Sequence, residues 1–125
     1  MLNENDLHRY ARQIIIQNFD EEGQEKILKT KCLIVGAGGL GCPVALYAAA
    51  AGFGHIEIYD EDLIETTNLN RQIAHQNKDI GLNKAENLAE KCLSINPDIY
   101  LKPHKKNFDK STNINSFDLV FDCSD

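Results

Sequence analysis

Arginine is scarce in this chain. Three residues, Arg9, Arg12 and Arg71, stand against ten lysines. Long apolar runs are missing too, and none approaches the ~20 residues that span a bilayer. Met1-Leu2-Asn3-Glu4 has neither the basic start nor the apolar core of a secretory leader. The expectation is a cytoplasmic protein without membrane contact. Positive charge is not in excess either. A net charge of −6 and a pI near 5.1 argue against a general nucleic-acid binder. No C-x-x-C pair occurs among Cys32, Cys42, Cys92 and Cys123, so they read as reduced thiols and assemble no zinc site. Cys42 falls at an expected helix start, where a thiol pKa can drop, yet packing is the preferred reading even there. His8, His55, His75 and His104 are scattered. They form no Ser–His–Asp or Cys–His arrangement, and none is given a role.

What is present centres on Val35-Gly36-Ala37-Gly38-Gly39-Leu40-Gly41-Cys42-Pro43. Leu33, Ile34 and Val35 read as a short buried strand, and a helix rich in alanine follows, closed by Gly52. Gly36, Gly38 and Gly41 make G-x-G-x-x-G between them. Strand, glycine turn and helix N-terminus build an anion site from backbone amides and the helix dipole. The next strand is expected at His55-Ile56-Glu57-Ile58-Tyr59. Asp60, 19 residues beyond Gly41, stands near the spacing at which an acid meets an adenosine ribose. Glu61 and Asp62 read as a solvated loop.

The chain divides into a helical extension over 1–30 and a nucleotide-binding α/β domain over 31–125. In the extension a helix is expected over 6–16, capped by Asp6, with Leu7, Tyr10 and Ile14 on its apolar side and Ile15 and Ile16 broadening it. A second helix is expected over 21–28, turning Ile27 and Leu28 inward. Residues 61–81 make a long connection of low periodicity, of a kind that is commonly functional. Asn83 and Glu86 suggest a capping box on a helix whose buried stripe is Leu82, Ala85, Leu88, Ala89, Cys92 and Ile95. Lys84 sits in its first turn and opposes the macrodipole by ~0.3–1 kcal/mol, a conflict that a bound anion removes. A third strand over 99–103 suits an edge because of Pro103. A helical turn is expected around 111–115, and a fourth strand at Leu119-Val120-Phe121.

Taken together, Arg9-Tyr-Ala-Arg-Gln-Ile, the Gly36–Gly41 loop, Asp60, Asn68-Leu-Asn-Arg-Gln, Gly81-Leu-Asn-Lys84 and Asp122-Cys-Ser-Asp125 resemble the adenylyltransferases that activate ubiquitin-like and sulfur-carrier proteins. The likeness is greatest to the MoeB/ThiF/HesA branch, which serves molybdopterin and thiamine synthesis. It implies a Rossmann-like, doubly wound, mostly parallel sheet. ATP would lie across Gly36, Gly38, Gly39 and Gly41 with Asp60 on its ribose. Arg71 and Lys84 would hold the triphosphate with Asn68 and Asn70 beside them, and Asp125 would hold Mg²⁺. Arg12 would reach across a homodimer into the partner's site. The implied reaction is attack of a carrier protein's C-terminal glycine carboxylate on the α-phosphorus, releasing pyrophosphate.

Members of that branch generally continue for about as long again, adding strands, the carrier-binding surface and, in many, paired C-x-x-C zinc ligands. Zinc therefore belongs only to such a C-terminal part, and the chain reads as truncated relative to the family. The fourth strand would then have one flank uncovered, unless a dimer or a second polypeptide covers it. Two other readings stay open. The glycine loop and Asp60 suit NAD equally well, and a nucleotide-binding fragment could serve as a scaffold without catalysis.

Overall fold

The computed structural model covers residues 1–125. Four parallel strands, β1 (Lys31–Val35), β2 (His55–Tyr59), β3 (Tyr100–His104) and β4 (Leu119–Asp122), form one sheet in the order β3-β2-β1-β4. The chain winds outward from β1 through helix α4 (Gly41–Ala51) to β2, then through α5 (Lys84–Ile95) to β3. It then returns to place β4 on the other side of β1. That reversal is a topological switch point, and crevices at the carboxyl ends of such strands are where open α/β sheets bind ligands. The Rossmann-like α/β class expected from the strand–glycine–helix order is what the chain adopts. No helix is long and apolar enough to cross a membrane.

The core lies between one sheet face and the two helices. Cys32 and Ile34 of β1 and Ile56 and Ile58 of β2 pack against Ala45, Ala48 and Ala49 of α4 and Leu88, Ala89 and Cys92 of α5. Alternation within each strand sends Leu33, Glu57 and Tyr59 to the opposite face. Neither α4 nor α5 covers that face. Residues 105–118 do so in part, with Phe108 edge-on to Tyr59 at 6.1 Å and Phe117 5.1 Å beneath Lys31 Nζ. Pro103 lies in the edge strand β3, as its missing N–H requires. At the other edge, Leu119 and Val120 of β4 are exposed, so the expected open flank is present.

Several local expectations are corrected. The first helix, α1, spans Glu4–Arg9 and is capped by Asn3, not Asp6; Asp6 returns a bond to the Asn3 amide at 3.0 Å. Tyr10 then breaks the helix before a single further turn, α2 (Ala11–Ile14). Tyr10 is fully buried, while Ile15 and Ile16 face solvent. In α3 (Asp20–Lys29) the buried side chain is Gln24, and Ile27 and Leu28 are only partly covered. Leu82, which precedes α5, and Ile95, which ends it, fall outside the stripe and are exposed; Lys84 and Asn87 are buried instead. The short turn expected near 111–115 is a 3₁₀ turn at Ile114–Ser116.

The N-terminal helices are attached to the sheet domain by polar contacts. Asn96 donates to the Ala49 carbonyl at 2.9 Å and to the Tyr10 hydroxyl at 2.8 Å. Gln13 and Gln24 both donate to the Ala51 carbonyl at 3.0 Å, so the last carbonyl of α4 is satisfied by side chains of α2 and α3. Asn96 is completely buried. We expect Asn96→Ala to cost about 1–3 kcal/mol, read as a lower urea midpoint with unchanged slope.

On the outer sheet face, Glu57 accepts from His55 Nε2 at 2.7 Å and from His104 Nε2 at 2.8 Å. Burial pushes the Glu57 pKa up, but the hydrogen bonds and charge of the two histidines outweigh it and hold the pKa below its ordinary value. A depressed carboxyl pKa contributes stability above the unfolded value of about 4.3, and that stability is lost as pH falls through the folded value. Glu57→Gln should therefore flatten the acid limb of the stability curve below about pH 4.3, measured by urea titration at successive pH values.

Candidate functional site

The site forms where β1 and β4 end side by side. Gly36 follows β1 with φ of +101°, and a Cβ there would lie 2.6 Å from the Cys123 carbonyl. A Cβ on Gly41 would run into the Gly36 carbonyl, so the loop and the start of α4 are pressed together. Only hydrogen fits at both positions. Gly38 and Gly39 are less tightly enclosed: a Cβ on either would approach Gln72 at 3.3 Å or Arg71 at 3.6 Å. The amides of Gly38, Gly39 and Leu40 donate to no acceptor within the chain. They are the unpaired donors expected at a helix N-terminus that receives an anion.

A cleft of about 230 Å³ opens above this loop, lined among others by Gly36, Gly38, Asp60, Gln72, Lys84 and Asp125. It continues into a wider opening bordered by Asn68, Arg71, Lys84 and Asp125. Asp60 is fixed by backbone: its Oδ2 accepts from Ala37 N and its Oδ1 from Asp62 N, both at 2.8 Å. Each oxygen keeps a lone pair for a further donor such as a sugar hydroxyl. Lys84 is 7% exposed and has no carboxylate within ion-pairing distance, although both openings reach it. Asn83 holds its helix turn in place. Its side chain caps the Glu86 amide at 3.0 Å and donates to the Asp60 carbonyl at 3.0 Å. The reciprocal Glu86 bond of a full capping box is not made; Glu86 faces Lys105 at 3.6 Å.

The long connection over 61–81 is ordered by 3₁₀ turns at Thr66–Asn68 and Asn77–Asp79. Asn68 braces the first turn by accepting from the Glu65 amide at 2.8 Å. Asn70 does not line the cleft. It accepts from Arg71 Nη1 at 2.9 Å, and Thr67 O accepts from the same nitrogen at 3.2 Å, so the guanidinium lies beside Gly39. Arg12 is not brought to this cleft. It is exposed and unpaired, on the turn that packs at the far end of α4, a helix about 16 Å long by its rise per residue. The neighbouring Arg9 is 3.7 Å from Asp98.

None of the four thiols is held below its ordinary pKa. Burial pushes the Cys42 and Cys123 thiols up, Cys32 to about 11 and Cys92 to about 12. Helix-start placement does not activate Cys42, because desolvation outweighs it. No three His, Cys, Asp or Glu side chains converge as a metal site. Two residues, one lining the cleft and one beneath its loop, are not legible in the sequence as site residues. Gln72 is 4% exposed with its Oε1 unpartnered, and His75 lies buried beneath the glycine loop. Gln72 was visible only as part of a run beside Arg71, and His75 carried no signal.

Comparison with known proteins agrees with this geometry. The model of the ThiF family matches residues 10–125. The adenylyltransferase and sulfurtransferase MOCS3 of Culex quinquefasciatus is 40% identical over 99% of this chain and 29% of its own length. The SAMP-activating enzyme E1 of Haloferax volcanii is 41% identical over 95% of the chain and 45% of its own. Among solved structures, E. coli tRNA N6-threonylcarbamoyladenosine dehydratase, TcdA, in complex with ATP aligns with a TM-score of 0.90 at 26% identity, over 100% of this chain and 52% of that one. E. coli MccB with AMPCPP and MccA aligns at 0.75 and 31% identity, over 92% and 34%. The chain thus spans less than half the length of these curated relatives. With its glycine loop, its switch-point cleft and a family match over nearly all its residues, the chain belongs to the ThiF family.

Proposed function

We propose that this chain carries the ATP site of an enzyme that adenylates the C-terminal glycine carboxylate of a ubiquitin-like sulfur-carrier protein. The observation that carries the proposal is Lys84: an ammonium nearly out of solvent, without a carboxylate partner, at the floor of a cleft rimmed by free loop amides. Burying a cation without its counter-ion is costly, and a polyphosphate supplies the missing charge. MOCS3 is named an adenylyltransferase and sulfurtransferase and the Haloferax volcanii relative a SAMP-activating enzyme, which supports adenylation as the reaction.

In this reading the amides of Gly38, Gly39 and Leu40 receive phosphate oxygens and Asp60 receives the ribose hydroxyls. Arg71 and Lys84 neutralise charge that grows on the phosphates as the carboxylate attacks the α-phosphorus and the bond to the leaving pyrophosphate breaks. The substrate brings its own nucleophile, in keeping with four thiols whose pKa values are all raised. Asp125 lines the same two openings as Lys84 without pairing with it, and one carboxylate plus phosphate oxygens suits Mg²⁺. When bound, that ion would add positive charge at the triphosphate. Arg12 is assigned to the site of a second subunit, supported by its exposure and its place at the far end of α4. The two remaining assignments are Asn68, which shapes the rim, and Asn70, which steadies Arg71.

The enzyme containing this chain is expected to exchange labelled pyrophosphate into ATP only when its carrier protein is present. Arg71→Ala and Lys84→Ala should each lower exchange by about 10²-fold or more; wild-type exchange in both would remove the triphosphate assignment. Absence of exchange together with tight NAD binding would establish the oxidoreductase reading instead. For Arg12, mixing Arg12→Ala subunits with Asp60→Ala subunits should restore activity that neither has alone, because one site in the mixed dimer is intact. No recovery on mixing would place Arg12 outside the partner's site.

A further inference from the structure

Beneath the glycine loop, a line of buried polar side chains runs from Ala37 to the surface of α5. His75 Nε2 is 2.8 Å from the Ala37 carbonyl, which can only accept, so Nε2 carries the hydrogen. Asn87 Nδ2 is 3.0 Å from His75 Nδ1 and 3.2 Å from Asp79 Oδ2. A carboxylate only accepts, so the amide nitrogen must face Asp79, and the same nitrogen leaves His75 Nδ1 as the acceptor. Asp79 is held in turn by Lys91 Nζ at 3.2 Å and the Gln76 amide at 2.9 Å. His75, Asn87 and Asp79 are each at most 4% exposed. Each hydrogen bond sets the direction of the next, and the imidazole is left with one tautomer.

Two successive peptide planes flank Ala37. The plane before it is held by Asp60, which accepts from the Ala37 N–H. The plane after it is held by His75, which donates to the Ala37 C=O. A trans peptide is planar, so its C=O and N–H point in opposite directions. Drawing the Ala37 carbonyl down onto His75 therefore turns the Gly38 N–H up into the cleft. We propose that His75 is a positioning residue for the nucleotide, and that its neutral Nε2–H tautomer, braced through Asn87 and Asp79 by Lys91, aims the Gly38 amide at a phosphate oxygen. The proposal rests on the nucleotide reading of this loop. Burial favours the neutral ring and keeps the His75 pKa below its ordinary value; the Ala37 bond and the charges of Asp79 and Asp60 work upward and that of Lys84 downward. Cys42 Sγ, 3.6 Å from Nε2, closes the remaining side.

The test compares His75→Leu, which fills the space without a donor, with His75→Gln, whose amide nitrogen can reach the Nε2 position. ¹⁵N relaxation of the Gly38 amide needs no ligand. In the wild type Gly38 should be rigid, with an order parameter of about 0.85, falling below about 0.6 in His75→Leu and recovering in His75→Gln. ATP affinity should fall about tenfold in His75→Leu and stay within about threefold of wild type in His75→Gln. Should His75→Leu fail to fold, Asn87→Ala leaves the imidazole in place but unbraced and should also loosen Gly38. A rigid Gly38 and unchanged ATP affinity in either His75→Leu or Asn87→Ala would overturn the proposal, as would an imidazole that titrates between about pH 5 and pH 8 with no change at Gly38. If wild-type protein binds no ATP while His75→Leu still loosens Gly38, the nucleotide reading falls and the positioning role stands.

Discussion

The peptides on either side of Ala37 are the constraint on which the site depends. One is tied to Asp60 at the end of β2 and the other to His75 in the long connection. The glycine loop is thus fastened to two elements distant in sequence, and its free amides are presented without conformational search. Gly36 against Cys123 adds a third attachment, to the end of β4. Hydrogen bonds buried in this way are worth more for the direction they impose than for their net free energy, which is about 1 kcal/mol each.

Around this frame the charges are arranged unequally. Asp60 is satisfied by amides before any ligand arrives, and Arg71 is held by Asn70 and Thr67. Lys84, nearly buried, has neither a carboxylate nor a hydrogen-bonded acceptor, and it lies in the first turn of α5 where the macrodipole also disfavours it. The fold holds a locally unfavourable cation at the point where an anion would relieve it. In the proposed reading such an arrangement would need no rearrangement when charge develops.

The parts of this architecture legible in the sequence were those written in local pattern. The strands over 33–35 and 55–59, the glycine turn and the Pro103 edge strand each depend on neighbours a few residues away. Asp60, Arg71, Lys84 and Asp125 were found through spacing and through a family likeness, and all four border the cleft. Misreadings came where tertiary contacts override period. Ile15 and Ile16 continue an apolar pattern but face solvent, because Tyr10 breaks the helix to meet Asn96. Leu82 precedes α5 and Ile95 ends it, outside the stretch that the sheet covers.

By itself the sequence determined the order of strands and helices, the close-packed glycine turn and the set of charged residues available to it, since these follow from backbone sterics and hydrophobic period. Only the tertiary structure decided that His75, Asn87 and Asp79 form one buried line under the loop, that Gln72 lines the cleft with its side-chain oxygen buried and unpartnered, and that Arg12 lies at the opposite end of α4. The physical reason is that a buried polar group must find a partner wherever the fold brings one, and that partner is set by how helices and strands pack, not by its distance along the chain.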